Sequence, residues 1–160
     1  MNQSWILPPD IRDEMLQDGQ QRYPEEACGL LLGTFDGRIG RIERYFPVAN
    51  HSQTPLHAFE LDPVSWVRSC FDPQLIGVYH THPNSPPRPS PEDLRQLPNF
   101  ADRLRLYLIG GRMHSFNDKP NANPSNDKPP GEPDGFTLQA YGISAHTGGY
   151  SLLPVKLRED

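Results

Sequence analysis

The sequence contains few cysteines and lacks both a long apolar stretch and a cluster of basic residues. Two cysteines, Cys28 and Cys70, are too few for a disulfide framework, and we interpret both as small core residues. No apolar stretch approaches the roughly 18 residues of a membrane-spanning helix, and the N-terminus does not show the charged and apolar regions of a signal peptide. A reducing cytoplasm is therefore the expected location.

The charge balance makes a nucleic-acid or membrane partner unexpected. The formal net charge is -5 at pH 7, and no block of lysines and arginines is present. Proline is abundant instead: the chain has 19 prolines among 160 residues, more than twice the average share of about 5%. Because the segments between the prolines contain uninterrupted apolar runs, the excess of proline indicates long loops within one folded domain.

The pattern of apolar residues predicts a series of strands and helices. Helices are predicted at Pro9 to Tyr23, at Pro63 to Phe71 with Asp62 as N-cap, and at Pro91 to Leu97. Strands are predicted at Ala27 to Phe35, Arg38 to Phe46, His57 to Leu61, Leu75 to His82, Leu104 to Gly110, Phe136 to Ile143 and Tyr150 to Leu157. A central mixed β-sheet flanked by helices accounts for this order. The fold class is α/β, or α+β if the sheet is mostly antiparallel.

Two segments within this pattern carry expectations of their own. Residues 117 to 134 are poor in apolar residues and rich in proline, asparagine and aspartate, so we predict a flexible surface insertion there. In the second predicted helix, Val64, Val67 and Cys70 are spaced to form one buried face.

Two histidines and an aspartate carry the strongest chemical signal. His80 and His82 end the strand that begins at Leu75, and side chains two residues apart on a strand share a face, so both imidazoles project together. Asp93 follows eleven residues after His82, a distance that lets a loop bring its carboxylate back. Two histidines and one carboxylate leave a fourth position open, which is the arrangement of a catalytic zinc site.

Each of these residues also has a simpler explanation. One histidine could belong to the core and the other to the surface, because the H-x-H pattern is common by chance. Ser90, Pro91 and Asp93 have the composition of a helix N-terminus, with serine as N-cap and an acidic first turn. Capping does not explain why they follow a two-histidine strand end. The two interpretations are compatible, since a first-turn aspartate is held rigidly.

A zinc hydrolase also needs a general base for the attacking water. Glu25 and Glu26 stand directly before the strand that begins at Ala27, and a carboxylate at the edge of a core strand can face an inner site. From position alone, both are more simply read as solvated residues at the end of the first helix. His57 is interpreted as a solvated loop residue, and Arg88 as a solvated residue that could contact a substrate carboxylate.

Two segments of the chain resemble the JAMM (MPN-plus) zinc metallopeptidases, in particular the small prokaryotic type. These segments are Tyr23 to Gly33 and Gly77 to Asp93, and the second has the H-x-H-P-x6-S-x-x-D spacing of that family's signature. The resemblance extends from roughly Pro9 to Leu157, apart from the insertion. It implies a single domain over residues 1–160 with the cytidine-deaminase-like JAMM/MPN fold.

The resemblance also implies roles for individual residues. His80, His82 and Asp93 become the ligands of one zinc ion per chain, Glu26 becomes the general base and proton shuttle, and Ser90 hydrogen-bonds the oxyanion. The implied reaction is zinc-dependent hydrolysis of a peptide or isopeptide bond after the Gly-Gly tail of a ubiquitin-like or sulfur-carrier protein. The alternative is a non-catalytic MPN-type module that binds a ubiquitin-like partner. A zinc deaminase is disfavoured because the chain has no C-x-x-C pair.

Overall fold

The computed structural model describes residues 2–113 and 135–159. The predicted insertion at 117 to 134 lies outside the described residues, and the assignment of the whole chain to one domain stays a prediction. In chain order the elements are β1 (Ser4–Ile6), α1 (Pro9–Arg22), β2 (Cys28–Phe35), β3 (Ile39–Val48), α2 (Pro63–Ser69), β4 (Leu75–Thr81), α3 (Pro91–Gln96) with a following 3₁₀ turn (Leu97–Asn99), β5 (Leu106–Arg112), β6 (Phe136–His146) and β7 (Gly149–Arg158). Within the described ranges, no helix is long and apolar enough to span a membrane.

The strands form one mixed sheet that closes on itself in the order β1-β3-β2-β4-β5-β6-β7. The short strand β1 closes the barrel because it pairs in parallel with β3 on one side and with β7 on the other. Strands β4 and β5 are also parallel, whereas the remaining four neighbouring pairs are antiparallel. The predicted mixed sheet is confirmed, and the antiparallel majority places the fold in the α+β class. Closure into a barrel was not predicted, and the cytidine-deaminase-like arrangement stays a prediction.

Most predicted elements are confirmed with ends that shift by up to three residues, but the strand predicted at His57 to Leu61 is wrong. In this segment His57 belongs to a turn, residues 58–60 have no regular structure, and Leu61 makes an isolated bridge to Asn50. The Asn50 side chain takes the place of a strand neighbour: its amide donates to the carbonyl of Ala58, and its oxygen accepts from the backbone N–H of Glu60, both at 3.0 Å. Side-chain hydrogen bonds of this kind compete with a sheet ladder.

Helix α2 packs differently from the predicted pattern. Val64 and Val67 are 59% and 56% exposed, and Phe71 just beyond the helix is 84% exposed, so the predicted buried face points to solvent. Trp66 packs against the core instead, and Cys70 is only half-buried.

Two apolar clusters lie on opposite faces of the central strands. Alternation along β2 places Leu30 in one cluster and Leu31 in the other, and the same alternation separates Val78 from Tyr79 on β4. The Leu31 cluster includes residues of α1, whereas the Leu30 cluster includes residues of the 3₁₀ turn and the loop after it. Strand β4 is buried over its whole length, as expected for a strand covered on both faces. The side chain of His80 lies on the same face of β4 as that of Val78.

Closure of the barrel depends on a close contact between β1 and β3. We predict that a methyl group added at Gly40, within this contact, destabilises the fold. Trp5 is fully buried, stacks on Phe35 with ring centroids 4.8 Å apart, and lies opposite Gly40. A Cβ at Gly40 would lie 2.2 Å from the indole ring. Gly40→Ala should therefore lower the free energy of unfolding by about 1–3 kcal/mol, measured by urea denaturation.

Arg41→Ala is the matched control, because Arg41 is the next residue on β3 and its side chain is exposed. The Arg41→Ala substitution should change the free energy of unfolding by less than about 0.5 kcal/mol. Equal stability of the Gly40→Ala variant and the wild type would show that closure does not depend on this contact.

Candidate metal centre

The end of β4 brings the two predicted histidines into the interior. His80 is fully buried and His82 is 8% exposed. The backbone at the end of β4 is hydrogen-bonded on both sides. Thr81 N–H donates to the Ala27 carbonyl at 3.0 Å, and His82 N–H donates to the Gly110 carbonyl at 2.7 Å. The two imidazoles therefore project from a fixed backbone, as the strand pattern predicted.

The two imidazoles and the carboxylate of Asp93 meet at one point. The Nε2 atoms of His80 and His82 lie 3.0 Å apart. Oδ2 of Asp93 lies 3.1 Å from Nε2 of His82, and Oδ1 lies 3.2 Å from Nε2 of His80. Tetrahedral zinc with bonds of about 2.0–2.2 Å holds its ligand atoms about 3.3 Å apart. Three donors of the types that zinc prefers are thus nearly at the required spacing.

Asp93 reaches this point because α3 begins with a reciprocal cap. The Asp93 backbone N–H donates to Oγ of Ser90 at 3.0 Å, and Ser90 N–H donates to Oδ2 of Asp93 at 2.9 Å. The capping interpretation and the ligand interpretation therefore both hold for the same carboxylate. Burial acts to raise the pKa of Asp93, but hydrogen bonds to His80 and His82 outweigh it and hold that pKa well below its usual range.

The proline-rich loop after β4 fixes the orientation of His82. Its Nδ1 donates to the carbonyl of Pro86 at 2.9 Å, which directs the lone pair of a neutral ring, on Nε2, toward the cluster. The loop itself is held by the Arg112 guanidinium, which donates to the Pro83 carbonyl at 2.8 Å. The Tyr141 hydroxyl donates to the Pro87 carbonyl at 2.9 Å. This support resembles the outer hydrogen bonds that orient histidine ligands in metal proteins.

Aromatic rings surround His80. Phe59 stacks on the imidazole with centroids 4.3 Å apart, and Tyr107 meets it edge-on at 5.4 Å. Burial lowers the pKa of His80, and Asp93 opposes that shift only in part. The lowered pKa favours the neutral ring, which is the form that binds a metal ion.

Glu26 is the buried carboxylate of the predicted pair, and Glu25 is exposed. A Glu26 oxygen and the ring nitrogens of His80 and His82 lie within 4.8 Å of one another, so these three residues could also hold a metal ion. Burial raises the pKa of Glu26 to about 7, with the charge of His82 acting in the opposite direction. Among the described residues, Oε2 of Glu26 has no hydrogen-bond partner. A buried carboxyl without a partner is typical of a functional site.

Residues of the loop between β3 and α2 hold the backbone of Glu26 in place through hydrogen bonds. Its N–H donates to the Pro55 carbonyl at 2.8 Å, and its carbonyl accepts from the amide of Asn50 at 3.0 Å. On the next residue, the Ala27 N–H donates to Oγ1 of Thr81 at 2.8 Å. Sequence patterns did not identify these positioning contacts, because each joins segments that are far apart in the chain.

An open cleft of about 440 Å³ leads to the cluster. Glu26, His82 and Ser90 line its inner side, and His57 and Arg88 line its rim. Both rim residues are exposed, as predicted, and they line the same cleft as Glu26 and His82. The structure thus brings together all five residues that the sequence singled out, although it does not establish their roles.

An α+β barrel with two histidines and two carboxylates buried at one strand end defines a protein with a candidate metal centre. Residues 8–122 match the family described as prokaryotic homologs of the JAB domain. The chain belongs to this family, and the resemblance to JAMM proteins is confirmed.

The chain is also similar to individual proteins. The chain is 35% identical over 122 residues to a protein named desampylase from Haloferax volcanii, covering 67% of this chain and 82% of that one. It is 31% identical over 111 residues to a probable TtuB-protein conjugate cleaving protease from Thermus thermophilus, covering 66% and 68%. A protein from Desulfitobacterium hafniense, solved in solution, matches with a TM-score of 0.64 and 28% identity over 98% of this chain and 94% of that one.

We predict that Asn50 stabilises the loop beside Glu26. Asn50→Ala removes the amide that donates hydrogen bonds to the carbonyls of Glu26 and Ala58. Leaving buried polar groups without partners should lower the free energy of unfolding by about 1–3 kcal/mol. Asn84→Ala is the control, because the Asn84 side chain accepts one exposed hydrogen bond from Tyr23. Equal stabilities of the two variants in urea denaturation would contradict the positioning role of Asn50.

Proposed function

We propose that the protein is a zinc-dependent metallopeptidase. It hydrolyses a peptide or isopeptide bond after the C-terminal tail of a ubiquitin-like or sulfur-carrier protein. The observation that carries the proposal is the convergence of His80, His82 and Asp93 within 3.0 to 3.2 Å of one another beside buried Glu26. The names of the two curated relatives, a desampylase and a conjugate-cleaving protease, support the same reaction and the same kind of partner.

His80, His82 and Asp93 are the proposed ligands of one zinc ion per chain. Glu26 also groups with the histidines, but the oxygens of Asp93 lie closer to both Nε2 atoms, so Asp93 is the better third ligand. Zinc supplies Lewis acidity at such a site and lowers the pKa of water that it coordinates to about 7. Glu26 then remains free for proton transfer.

Glu26 is the proposed general base and general acid. With a pKa raised to about 7, its carboxyl group exchanges protons readily near neutral pH. It accepts a proton from the water that attacks the carbonyl carbon, and it returns that proton to the departing amine. The carbonyl carbon gains the water oxygen as its bond to nitrogen breaks, so the products are a free carboxylate and a free amine. The fixed backbone of Glu26 keeps its carboxyl group beside the reacting atoms.

Ser90 is the proposed oxyanion donor. Its Oγ accepts a hydrogen bond from the Asp93 backbone at 3.0 Å, and the hydroxyl proton is free to donate into the cleft that Ser90 lines. A donor aimed at developing negative charge contributes about 3–4 kcal/mol to transition-state stabilisation. Capping and catalysis therefore use different parts of the same hydroxyl group.

The proposed occupant of the cleft is an extended Gly-Gly tail. The lining of the cleft includes Glu26 and His82, which are both buried, so small side chains would let a chain segment approach them most closely. A Gly-Gly tail meets this condition and can bind in extended form through its backbone. We further propose that residues 1–160 act as one domain in the cytoplasm, where Cys28 and Cys70, both free, stay reduced.

The proposal is tested with carrier proteins that end in Gly-Gly and are joined through that tail to a lysine of a reporter protein. The full chain should release each carrier with a free C-terminal carboxylate, read by mass spectrometry. A chelator should stop the reaction, and added zinc should restore it. Glu26→Gln should keep the zinc content of the wild type and slow hydrolysis by about 10²–10⁴-fold, because proton transfer is lost.

Two results would contradict the proposal in different ways. Cleavage that persists in the chelator would remove the metal from the reaction. Intact conjugates in the presence of zinc-loaded protein would favour the non-catalytic alternative, a module that binds a ubiquitin-like partner without cutting it.

Ser90→Ala separates the two roles of the serine hydroxyl. If the oxyanion role holds, kcat should fall by about 10²–10³-fold while zinc content is unchanged. Loss of the cap should also lower stability by about 1 kcal/mol, measured by thermal unfolding. A lower Tm with normal kcat would leave Ser90 as a helix cap only.

A further inference from the structure

Arg22, the last residue of α1, links this helix to two strand ends beside the candidate site. Its side chain is mostly buried, with 22% exposed. Nη1 of the guanidinium donates to the Val48 carbonyl, and Nη2 donates to the Cys28 carbonyl, both at 2.6 Å. Val48 is the last residue of β3, Cys28 is the first residue of β2, and the two residues lie opposite each other in the sheet. One guanidinium group therefore holds two neighbouring strand ends together.

An ion pair fixes the orientation of this guanidinium group. Asp18 lies one helical turn before Arg22, and its carboxylate accepts hydrogen bonds from Nε at 3.1 Å and from Nη2 at 2.5 Å. The hydroxyl group of buried Tyr45 donates to the same carboxylate. Because a two-point contact between a guanidinium and a carboxylate is directional, the N–H groups that face Cys28 and Val48 stay aimed at their carbonyls.

Stabilisation of the helix alone does not account for these contacts. A basic residue in the last turn and an ion pair four residues apart both stabilise a helix without touching any other element. The contacts of Arg22 with Cys28 and Val48 reach a different part of the fold, and both of those residues are buried. Since a buried carbonyl that loses its donor is costly, Arg22 contributes to the position of the strand ends.

The two strand ends carry the residues that place Glu26. Glu26 stands two residues before Cys28, and Asn50 stands two residues after Val48. The amide of Asn50 donates to the Glu26 carbonyl at 3.0 Å. A shift of the end of β3 relative to β2 would therefore displace Asn50 relative to Glu26. A displacement of about 1 Å at a catalytic group can lower the rate by about 10²-fold.

We infer that Arg22 is a positioning residue for Glu26, because its guanidinium group fixes the ends of β2 and β3 and with them the backbone that carries the Glu26 carboxyl group. The inference rests on the proposed function, since it takes Glu26 as the general base. Lysine cannot replace arginine in this role, because it presents one nitrogen atom in place of a planar fork of donors.

The test compares Arg22→Lys with Arg12→Lys in the full chain. Arg12 is a matched control: it lies on the same helix, its side chain is 20% exposed, and it pairs with the Glu159 carboxylate at 2.9 Å. Arg22→Lys keeps a positive charge beside Asp18, so the variant should fold. With the Gly-Gly conjugate as substrate, its kcat should fall by about 10–100-fold, with KM and zinc content unchanged. Arg12→Lys should leave kcat unchanged.

A second measurement reports on the backbone of metal-free protein. The amides of Glu26 and Ala27 donate to the Pro55 carbonyl and to Oγ1 of Thr81. Hydrogen exchange at these two amides should be faster in Arg22→Lys than in the wild type, because the local structure opens more often. Exchange at the same amides should not change in Arg12→Lys. A residue that stabilises only α1 would lower the Tm without changing either kcat or this exchange.

Contrary outcomes separate the inference from the proposed function. A kcat of Arg22→Lys equal to that of the wild type, or an equal fall in both variants, would overturn the positioning role and leave the proposed function standing. Unchanged exchange at Glu26 and Ala27 would overturn it as well. A wild type that cleaves no conjugate would contradict the proposed function itself, whereas the exchange rates would still show whether Arg22 holds this backbone.

Discussion

The side chains of His80, His82 and Asp93 lie in direct contact in the interior, and the arrangement of the site depends on this contact. Two imidazole Nε2 atoms lie 3.0 Å apart, and the carboxylate oxygens face them at 3.1 and 3.2 Å. Because Nδ1 of His82 donates to Pro86, Nε2 of a neutral ring turns a lone pair toward another nitrogen and toward a carboxylate. These groups repel one another unless positive charge lies between them, as a shared proton or as a metal ion. A shared proton or a bound cation would remove this repulsion, and a cation at this point would face all three donors.

The fold serves to hold this contact in place from separate parts of the chain. Strand β4 carries the histidines, the cap of α3 carries Asp93, and the antiparallel register that sets Cys28 opposite His80 brings Glu26 to the same end of the barrel. Asn50 and Thr81 fix the backbone around Glu26, and the proline-rich loop is tied down by Arg112 and Tyr141. Rigid support of this kind suits a site whose donors must be in place before the substrate arrives.

The sequence predicted which residues meet at the candidate site better than it predicted their surroundings. His80, His82, Ser90 and Asp93 stand close together in the chain, so strand alternation and helix capping were enough to group them. Closure of the barrel was missed because β1 has three residues, which is too short for any periodic pattern. The segment from His57 to Leu61 was misassigned because part of its backbone hydrogen-bonds to the side chain of Asn50 and not to a neighbouring strand. Phe59 and Tyr107 looked like ordinary core residues, since only the folded chain shows that they surround His80.

X-ray absorption at the zinc K-edge of the zinc-loaded protein tests the central claim most directly. Two imidazole nitrogens and at least one oxygen at about 2.0–2.2 Å, with no sulfur in the first shell, are the expected result. A sulfur shell near about 2.3 Å, or a zinc environment without imidazole, would contradict a centre built from His80, His82 and Asp93.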